Sequence, residues 1–290
     1  MTKAGMSGIS RAWVPGYMRG TVVGGSAVGT VRSVEALARF KELLHGPEAA
    51  LPLDEVALLV ATFASPGLDV HEQLGRLDDL AAGVWAPTLD ALRKRLFGEL
   101  GFVGDEVDYY NPRNSYLDSV LDRRVGIPIS LSILLMEVGR RIGVPLNGVS
   151  MPGHFLVRDK VDPEVFVDPF ARGVELDRRG AEARFHAIQG PGAVFDPAFL
   201  EPVGRRAIVA RVLANLETVA VLRSDRPLLL WVLRLHTALP TAGPADAQRL
   251  ATALAAAGRY GEAAGLFDEL AAAGVDGAGA SATRLRARLN

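Results

Sequence analysis

The chain has 290 residues, of which 49% are hydrophobic, and a formal net charge of −1 from 32 Lys and Arg against 33 Asp and Glu. This length and composition allow one large domain or two ordinary ones with a sizeable buried core. The balanced charge excludes a general electrostatic attraction to nucleic acid or anionic lipid. Because the chain contains no cysteine, it has no disulfide, thiolate nucleophile or zinc–thiolate site.

Residues 1–32 are rich in Gly and Ser and lack an apolar period, which predicts a flexible tail. The tail lacks the continuous apolar segment of a secretory signal. No apolar run elsewhere in the chain reaches the roughly 18–20 residues of a membrane span. We therefore expect a cytoplasmic protein with neither a membrane nor a nucleic acid as its partner.

Helical periodicity begins at Ser33, which is placed to cap a first helix. Four further helix starts follow at residues with capping or turn character. They are Asp54, Asp69, Pro87-Thr88 and Asn114-Ser115. The N-terminal part of the chain is therefore predicted to be a set of amphipathic helices.

The segment GIPISLSILLMEVGRRIG predicts the central helix. Gly126 interrupts the preceding element, Pro128 suits a first helical turn, and Gly143 ends the helix. Its apolar residues lie nearly all round, which is typical of a helix buried within a domain. Three short extended runs follow, LNGVSM, HFLVRD and VFVDPF, with a turn-like KVDPE between the last two. They predict a small antiparallel sheet packed on the central helix.

The C-terminal part carries only helical patterns, which form two pairs, 204–223 with 226–239 and 245–257 with 259–273. The second pair resembles a tetratricopeptide unit through its small-residue face and its Gly-Arg-Tyr turn. Two pairs fall below the roughly three repeats that an independent solenoid needs. We therefore expect residues 204–290 to dock on the main domain.

The order of elements in the middle of the chain resembles that of a thiol hydrolase. In such enzymes the nucleophile lies in the first turn of a central helix, and a histidine and an Asp or Asn follow on neighbouring strands. Here His154 begins one predicted strand and Asp168 ends the next. A lone histidine is often a buried hydrogen-bond partner, but an aspartate on the adjacent strand favours a His–Asp pair. Such a pair is catalytic, a structural remnant or part of a ligand site.

The blocks NPRNS, GIPISL and PGHFLVR closely resemble the SirB1 family. These bacterial proteins have a transglutaminase-like core and often a tetratricopeptide-like tail, and the likeness covers roughly residues 50–275. The resemblance implies a Cys-His-Asp triad in which His154 and Asp168 map cleanly. The cysteine position falls near Pro128, which has no nucleophilic side chain. Asp105 stands where the family often has Asn.

The resemblance and the patterns together predict an α+β, mostly helical fold. It consists of N-terminal helices, a transglutaminase- or papain-like core with a small antiparallel sheet on a buried helix, and C-terminal helical hairpins. The predicted regions are a tail (1–32), a SirB1/transglutaminase-like domain (33–195) and a tetratricopeptide-like helical region (204–290).

Ser130 is the candidate that could replace the missing thiol. It lies two residues beyond Pro128 and is turned by about 200° from it around the helix. A hydroxyl bonded to the backbone near the helix start is the favoured role of Ser130, with a nucleophile as the alternative. Candidate ligand-binding residues are Asn114, Pro128 and Arg124, although a turn or cap role for Asn114 and a solvated loop position for Arg124 stay open.

The five histidines are dispersed without metal-ligand spacing, so neither a metal site nor a cofactor is expected. The predicted function is that of a pseudoenzyme or a scaffold for a protein or peptide partner, with a regulatory role. The alternative is a hydrolase or acyl transferase for amides or esters. It would act through Ser130, or through a water activated by His154 and Asp168.

Overall fold

The computed structural model describes residues 27–289, with side chains from Val34 onward. Most of the predicted tail, residues 1–26, lies outside the described residues. The first helix, α1, spans Ala27–His45 and therefore includes Ser33 rather than starting at it. A capping residue marks only one possible start, and residues 27–32 contain no proline that would stop the helix. Residues 27–32 are thus helical instead of belonging to a tail.

Short helices form the rest of the N-terminal part. Two predicted caps are present, because the Asp69 carboxylate accepts the Glu72 N–H and the Thr88 hydroxyl accepts the Ala91 N–H. Asn114 lies in a 3-10 turn, Pro112–Asn114, so the helix predicted from it begins at Leu117 instead. The helices are α2 (Leu53–Ala61), α3 (Val70–Ala82), α4 (Leu89–Arg93, continued by a π-helical turn over Lys94–Glu99) and α5 (Leu117–Arg123).

The central helix is α6, Pro128–Arg141, and its residues from Pro128 to Gly139 are buried. One of them, Glu137, is a fully buried carboxylate. Its two oxygens accept hydrogen bonds from Arg205 at 2.7 Å and from Arg140 at 2.6 Å. These bonds satisfy a charge that burial would otherwise penalise heavily. The predicted buried helix is confirmed.

A four-stranded antiparallel sheet packs on α6 in the order β3-β4-β5-β6. The predicted small antiparallel sheet is therefore confirmed. The edge strand β6 was not predicted, because three residues with no buried member carry no usable apolar alternation. Two residues before α6, β2 pairs in parallel with β1. The strands are β1 (Val103–Gly104), β2 (Val125–Gly126), β3 (Leu146–Val149), β4 (Leu156–Asp159), β5 (Phe166–Asp168) and β6 (Val174–Leu176).

The C-terminal helices share a hydrophobic core with the elements that precede residue 204. Ile208 and Leu216 of α8 and Trp231 of α9 belong to the same hydrophobic core as α6. The Trp231 indole N–H also donates to the Val60 carbonyl of α2 at 3.1 Å. A second, smaller core joins α9 to α12. The helices are α7 (Arg178–Gln189), α8 (Arg205–Leu222), α9 (Arg226–His236), α10 (Pro244–Ala256), α11 (Tyr260–Ala272) and α12 (Ala278–Arg286).

The shared core has a physical cause, since α8 is apolar along the side that faces α2 and α6 and must cover it. None of the helices within residues 27–289 combines the length and apolar character needed to cross a bilayer.

Candidate functional site

His154 and Asp168 are brought together by the pairing of β4 with β5. His154 lies in the turn that leads into β4, and Asp168 ends β5. The register pairs Val157 with Val167. The Nε2 atom of His154 lies 3.0 Å from Oδ1 of Asp168, and the two residues are 5% and 0% exposed. The two side chains that were selected from the sequence therefore form a buried His–Asp pair.

Asp168 is held as an anion by several donors. Its Oδ1 accepts the N–H groups of Phe170 at 3.1 Å and Ala171 at 3.2 Å, and its Oδ2 lies 2.9 Å from Nε of Arg184. Burial is the largest influence on the pKa of Asp168 and raises it. The combined effect of His154, Arg184 and the Ala171 N–H outweighs burial and lowers the pKa below its usual range. Asp168 is consequently ionised at neutral pH.

The two nitrogens of the His154 ring have different surroundings. Nε2 lies within ion-pair distance of Oδ1 of Asp168. The geometry of this contact is nevertheless not that of a regular hydrogen bond. Nδ1 makes no hydrogen bond to the described residues, although His154 as a whole is only 5% exposed. The ring is thus anchored on one side by the carboxylate, and Nδ1 keeps its hydrogen-bonding capacity.

Phe170 connects this pair to the start of α6. Its ring packs edge-on against the His154 ring, with centroids 6.1 Å apart. Its carbonyl accepts the N–H of Gly104, which pairs with Gly126 immediately before α6. A Cβ on Gly104 would lie 2.3 Å from the Phe170 ring, so only glycine permits this approach. The close approach of two backbone segments places the His–Asp pair beside the helix start.

Ser130 is bound to the backbone rather than to His154. Its hydroxyl accepts the N–H of Ile127 at 3.1 Å and donates to the carbonyl of Asn114 at 2.6 Å. Ser130 is 3% exposed. Pro128 occupies the first position of α6 and offers no reactive group. The hydrogen bonds give Ser130 the role of closing the first helical turn.

Asn114 belongs to a buried polar network with Asp105 and Arg123. The amide of Asn114 donates to Oδ2 of Asp105 at 3.0 Å and accepts from Nη1 of Arg123 at 2.8 Å. Its amide also donates to the Asp108 carbonyl at 2.9 Å. Burial, the largest influence, raises the pKa of Asp105, but the Asp108 N–H, Asn114, the Val107 N–H and Arg123 together lower it. The network fixes the loop 105–111 beside the site.

Arg124 lies outside this network, and its selection as a ligand-binding residue alongside Asn114 stays a prediction. Its backbone has φ 58° at the end of α5, and its guanidinium donates to the Leu100 carbonyl at 3.0 Å. The neighbouring Arg123 is the arginine that joins Asn114. The sequence could not show which of the two adjacent arginines joins the network. The left-handed backbone at the end of α5 decides which side chain turns inward. Asp105 was the residue in the sequence that could have indicated this network. It had been noted only because the family often has Asn at that position.

The site can bind or accept a proton at His154, but it offers no thiol. Within residues 27–289, no group of three or more His, Asp or Glu side chains is arranged to hold a metal ion. The side chains that surround the pair provide aromatic rings, an ionised carboxylate and guanidinium groups.

A helix whose first turn lies beside a His–Asp pair on two antiparallel strands defines a transglutaminase-like core. The family model described as the transglutaminase-like superfamily matches residues 67–214, about half of the chain. The chain therefore belongs to the transglutaminase-like superfamily. The match runs into α8, in agreement with the shared core.

Several curated proteins are similar to this chain. A UPF0162 protein of Xylella fastidiosa (strain Temecula1) is 40% identical over 185 residues, which cover 59% of this chain and 66% of that protein. A UPF0162 protein of Pseudomonas aeruginosa is 31% identical over 208 residues, covering 68% of this chain and 70% of that protein. Human F-box only protein 21 is 40% identical over 103 residues, 32% of this chain and 16% of that protein. The chain spans just under two thirds of the length of the Xylella relative. No solved structure matches it.

Proposed function

We propose that this protein is a transglutaminase-like pseudoenzyme whose cleft binds a peptide segment of a protein partner. One observation carries the proposal. The His154–Asp168 pair is in place, while the first turn of α6 supplies Pro128 and a Ser130 hydroxyl committed to the backbone. Because the chain contains no cysteine, the thiol step of the superfamily has no nucleophile here.

The loop beside the pair supports a binding role. Val107 is 99% exposed, Tyr109 38% and Tyr110 50%. The loop is nevertheless fixed, since Arg223, directly after α8, donates to the Tyr110 carbonyl at 2.8 Å and to the Asp108 carboxylate at 2.7 Å. Exposed aromatic side chains on a fixed segment offer a binding surface at low entropic cost. A peptide lying along this loop would pass His154.

We also propose that the protein belongs to the SirB1 family and has a regulatory role. The NPRNS, GIPISL and PGHFLVR blocks support membership of the SirB1 family, and a regulatory role would follow from partner binding without turnover. The alternative of amide or ester hydrolysis is favoured by one observation, the His154–Asp168 pair, whose imidazole could take a proton from a water. The hydrogen bonds of Ser130 give no support to hydrolysis through that serine.

Turnover and binding are tested together. Wild type, Ser130→Ala and His154→Ala are incubated with a fluorophosphonate probe and with panels of amides and esters. Binding of an immobilised peptide library is measured in parallel, with His71→Ala, an exposed histidine on α3, as the control. We expect no labelling or turnover, and peptide binding that His154→Ala weakens and His71→Ala leaves unchanged.

The other outcomes are decisive as well. Turnover that His154→Ala abolishes and Ser130→Ala preserves would replace the proposal with water-mediated hydrolysis. Labelling that Ser130→Ala removes would identify a serine nucleophile. Absence of both peptide binding and turnover would remove the proposal and its alternative alike.

A further inference from the structure

Arg211 on α8 has no carboxylate partner among the described residues, unlike three other arginines around the site. Arg123 is paired with Asp105, Arg184 with Asp168 and Arg223 with Asp108. Within residues 27–289, Arg211 forms no ion pair, although it is partly buried. A partly buried guanidinium without a carboxylate leaves donor capacity that an anionic ligand can use.

Arg211 reaches the same turn that carries His154. Its Nη1 lies 3.4 Å from Oγ of Ser150. Ser150 follows β3, and the turn is closed by a hydrogen bond of 3.0 Å from the His154 N–H to the Met151 carbonyl. Ser150, which contacts the unpaired guanidinium, and His154 are therefore only four residues apart and lie at the two ends of one short turn.

Tyr109 supplies a third polar group near Arg211. Burial is the largest influence on the pKa of Tyr109 and raises it, the neighbouring Tyr110 raises it further, and Arg211 is close enough to lower it. The net pKa lies above its usual range, so the hydroxyl stays protonated and can donate. The centroids of the Tyr109 and Phe170 rings are 5.9 Å apart, and the Phe170 ring in turn packs against the His154 ring.

We infer that Arg211, with the hydroxyls of Ser150 and Tyr109, forms a subsite for a carboxylate carried by the peptide ligand next to His154. The inference rests on the proposed peptide-binding function and names the class of peptide. A guanidinium offers two parallel N–H groups that fit a carboxylate, and both hydroxyls can donate to the same anion. A neutral peptide that covered the site would leave the Arg211 charge buried and unpaired, which disfavours it.

Two sources of the carboxylate are compatible with this chemistry, the free C-terminus of a peptide and an Asp or Glu side chain. Three pools of random hexapeptides separate them: neutral peptides with a free C-terminus, C-terminally amidated peptides that contain one Glu, and amidated neutral peptides. Sodium acetate serves as the simplest carboxylate probe, with sodium chloride as the ionic-strength control. The arginine Nε–H and histidine ring signals of the folded chain report binding by NMR.

The variants are Arg211→Gln, Arg211→Lys and Ser150→Ala. The control is Arg226→Gln, which removes an exposed arginine of α9 that has no ion pair in the described part of the chain. We expect acetate and at least one carboxylate pool to shift the Arg211 and His154 signals of wild type. Arg211→Gln should weaken that binding roughly tenfold or more, because a charge-assisted hydrogen bond is lost. Arg211→Lys should restore part of it, while Arg226→Gln should have no effect. Thermal melting shows whether each variant is folded.

The inference and the proposed function fail in different ways. If peptides bind beside His154 but show no preference for a carboxylate and no dependence on Arg211, the subsite is wrong and the peptide cleft stands. If acetate shifts the Arg211 signal but no pool binds, the anion subsite stands and the peptide-binding function is wrong. If neither acetate nor any pool moves the Arg211 signal of wild type, the subsite is overturned outright.

Discussion

Nε of Arg184 lies 2.9 Å from Oδ2 of Asp168, the carboxylate oxygen that His154 does not contact. The carboxylate is thus shared between an arginine on α7 and a histidine before β4. Because Arg184 is always charged, Asp168 keeps an ionic partner in either protonation state of the imidazole. The His154 ring is consequently held by a carboxylate that is itself fixed from its other side.

The lowered pKa of Asp168 predicts an acid-dependent stability. The ordinary value is 3.8, and the folded pKa lies below it. Ionised Asp168 therefore stabilises the fold above about pH 4, and this contribution is lost as the pH falls through the folded pKa. Urea unfolding at a series of pH values should show a steeper loss of unfolding free energy below pH ~4 in wild type than in Asp168→Asn. Asp79→Asn, at an exposed position of α3, should follow wild type. Parallel curves for all three proteins would contradict the prediction.

Removal of the Ser130 hydroxyl should destabilise the protein without any change in chemical reactivity. Ser130→Ala leaves the N–H of Ile127 and the carbonyl of Asn114 without their partner. Buried unsatisfied groups cost about 1–3 kcal/mol, so we expect a loss in that range by urea unfolding. Ser132→Ala is the matched control, because that buried hydroxyl only donates to the Pro128 carbonyl within α6. Equal effects of the two substitutions would refute the special role of Ser130.

Two adjacent arginines should differ in their contribution to stability. Arg123→Ala removes a donor from the buried Asp105–Asn114 network, and we expect it to lower the unfolding free energy by about 2 kcal/mol. Arg124→Ala loses one exposed bond to a carbonyl, and we expect a loss below about 1 kcal/mol. Chemical unfolding of both variants decides the order. A larger loss in Arg124→Ala would mean that the network does not hold the loop 105–111.

A methyl group at Gly104 should disturb the candidate site. The new Cβ would lie 2.3 Å from the Phe170 ring, which packs against His154. Gly104→Ala should lower the melting temperature and shift the His154 ring signals in NMR spectra. Gly75→Ala, in α3 with no atom within 4 Å of the new Cβ, should instead be neutral or stabilise by up to about 1 kcal/mol. Unchanged His154 signals in Gly104→Ala would argue against the contact.

A thiol placed at the helix start should ionise more easily than an ordinary one. Because the chain has no cysteine, Pro128→Cys and an exposed control on α12, Thr283→Cys, each carry a single thiol. The start of α6 and the neighbouring His154 should lower the thiol pKa of Pro128→Cys from about 8.5 into the range of roughly 3.5–7.5. Thiolate absorbance measured against pH tests this in the folded proteins. Coincident titrations, or a higher pKa at position 128, would show that His154 does not act on the first turn of α6.

Local patterns in the sequence were enough to predict the central helix and the strands around it. The apolar residues of α6 and the start signal at Pro128 lie close together in the chain, as do the Asp69 and Thr88 caps and their helices. The order of helix, His154 and Asp168 pointed to a His–Asp pair, because neighbouring antiparallel strands bring their adjoining ends together. These predictions depend on periodicity and capping, which are properties of short segments.

Other features could be read only from the folded chain. The contacts of Arg184 with Asp168 and of Arg211 with Ser150 join separate elements of the chain. Their side chains come together only when these elements pack. The continuity of the core through α8 likewise depends on burial against distant helices, which no local signal reports.

The sequence by itself determined that no thiol is present, that a buried helix precedes a small sheet, and that His154 and Asp168 lie at the ends of adjoining strands. Only the tertiary structure decided that Ser130 closes a helical turn, that Arg123 rather than Arg124 joins the buried network, and that Arg211 is left without a carboxylate. Periodicity is local to a segment, whereas the partner of a charged or hydroxyl group is set by residues up to a hundred or more positions away.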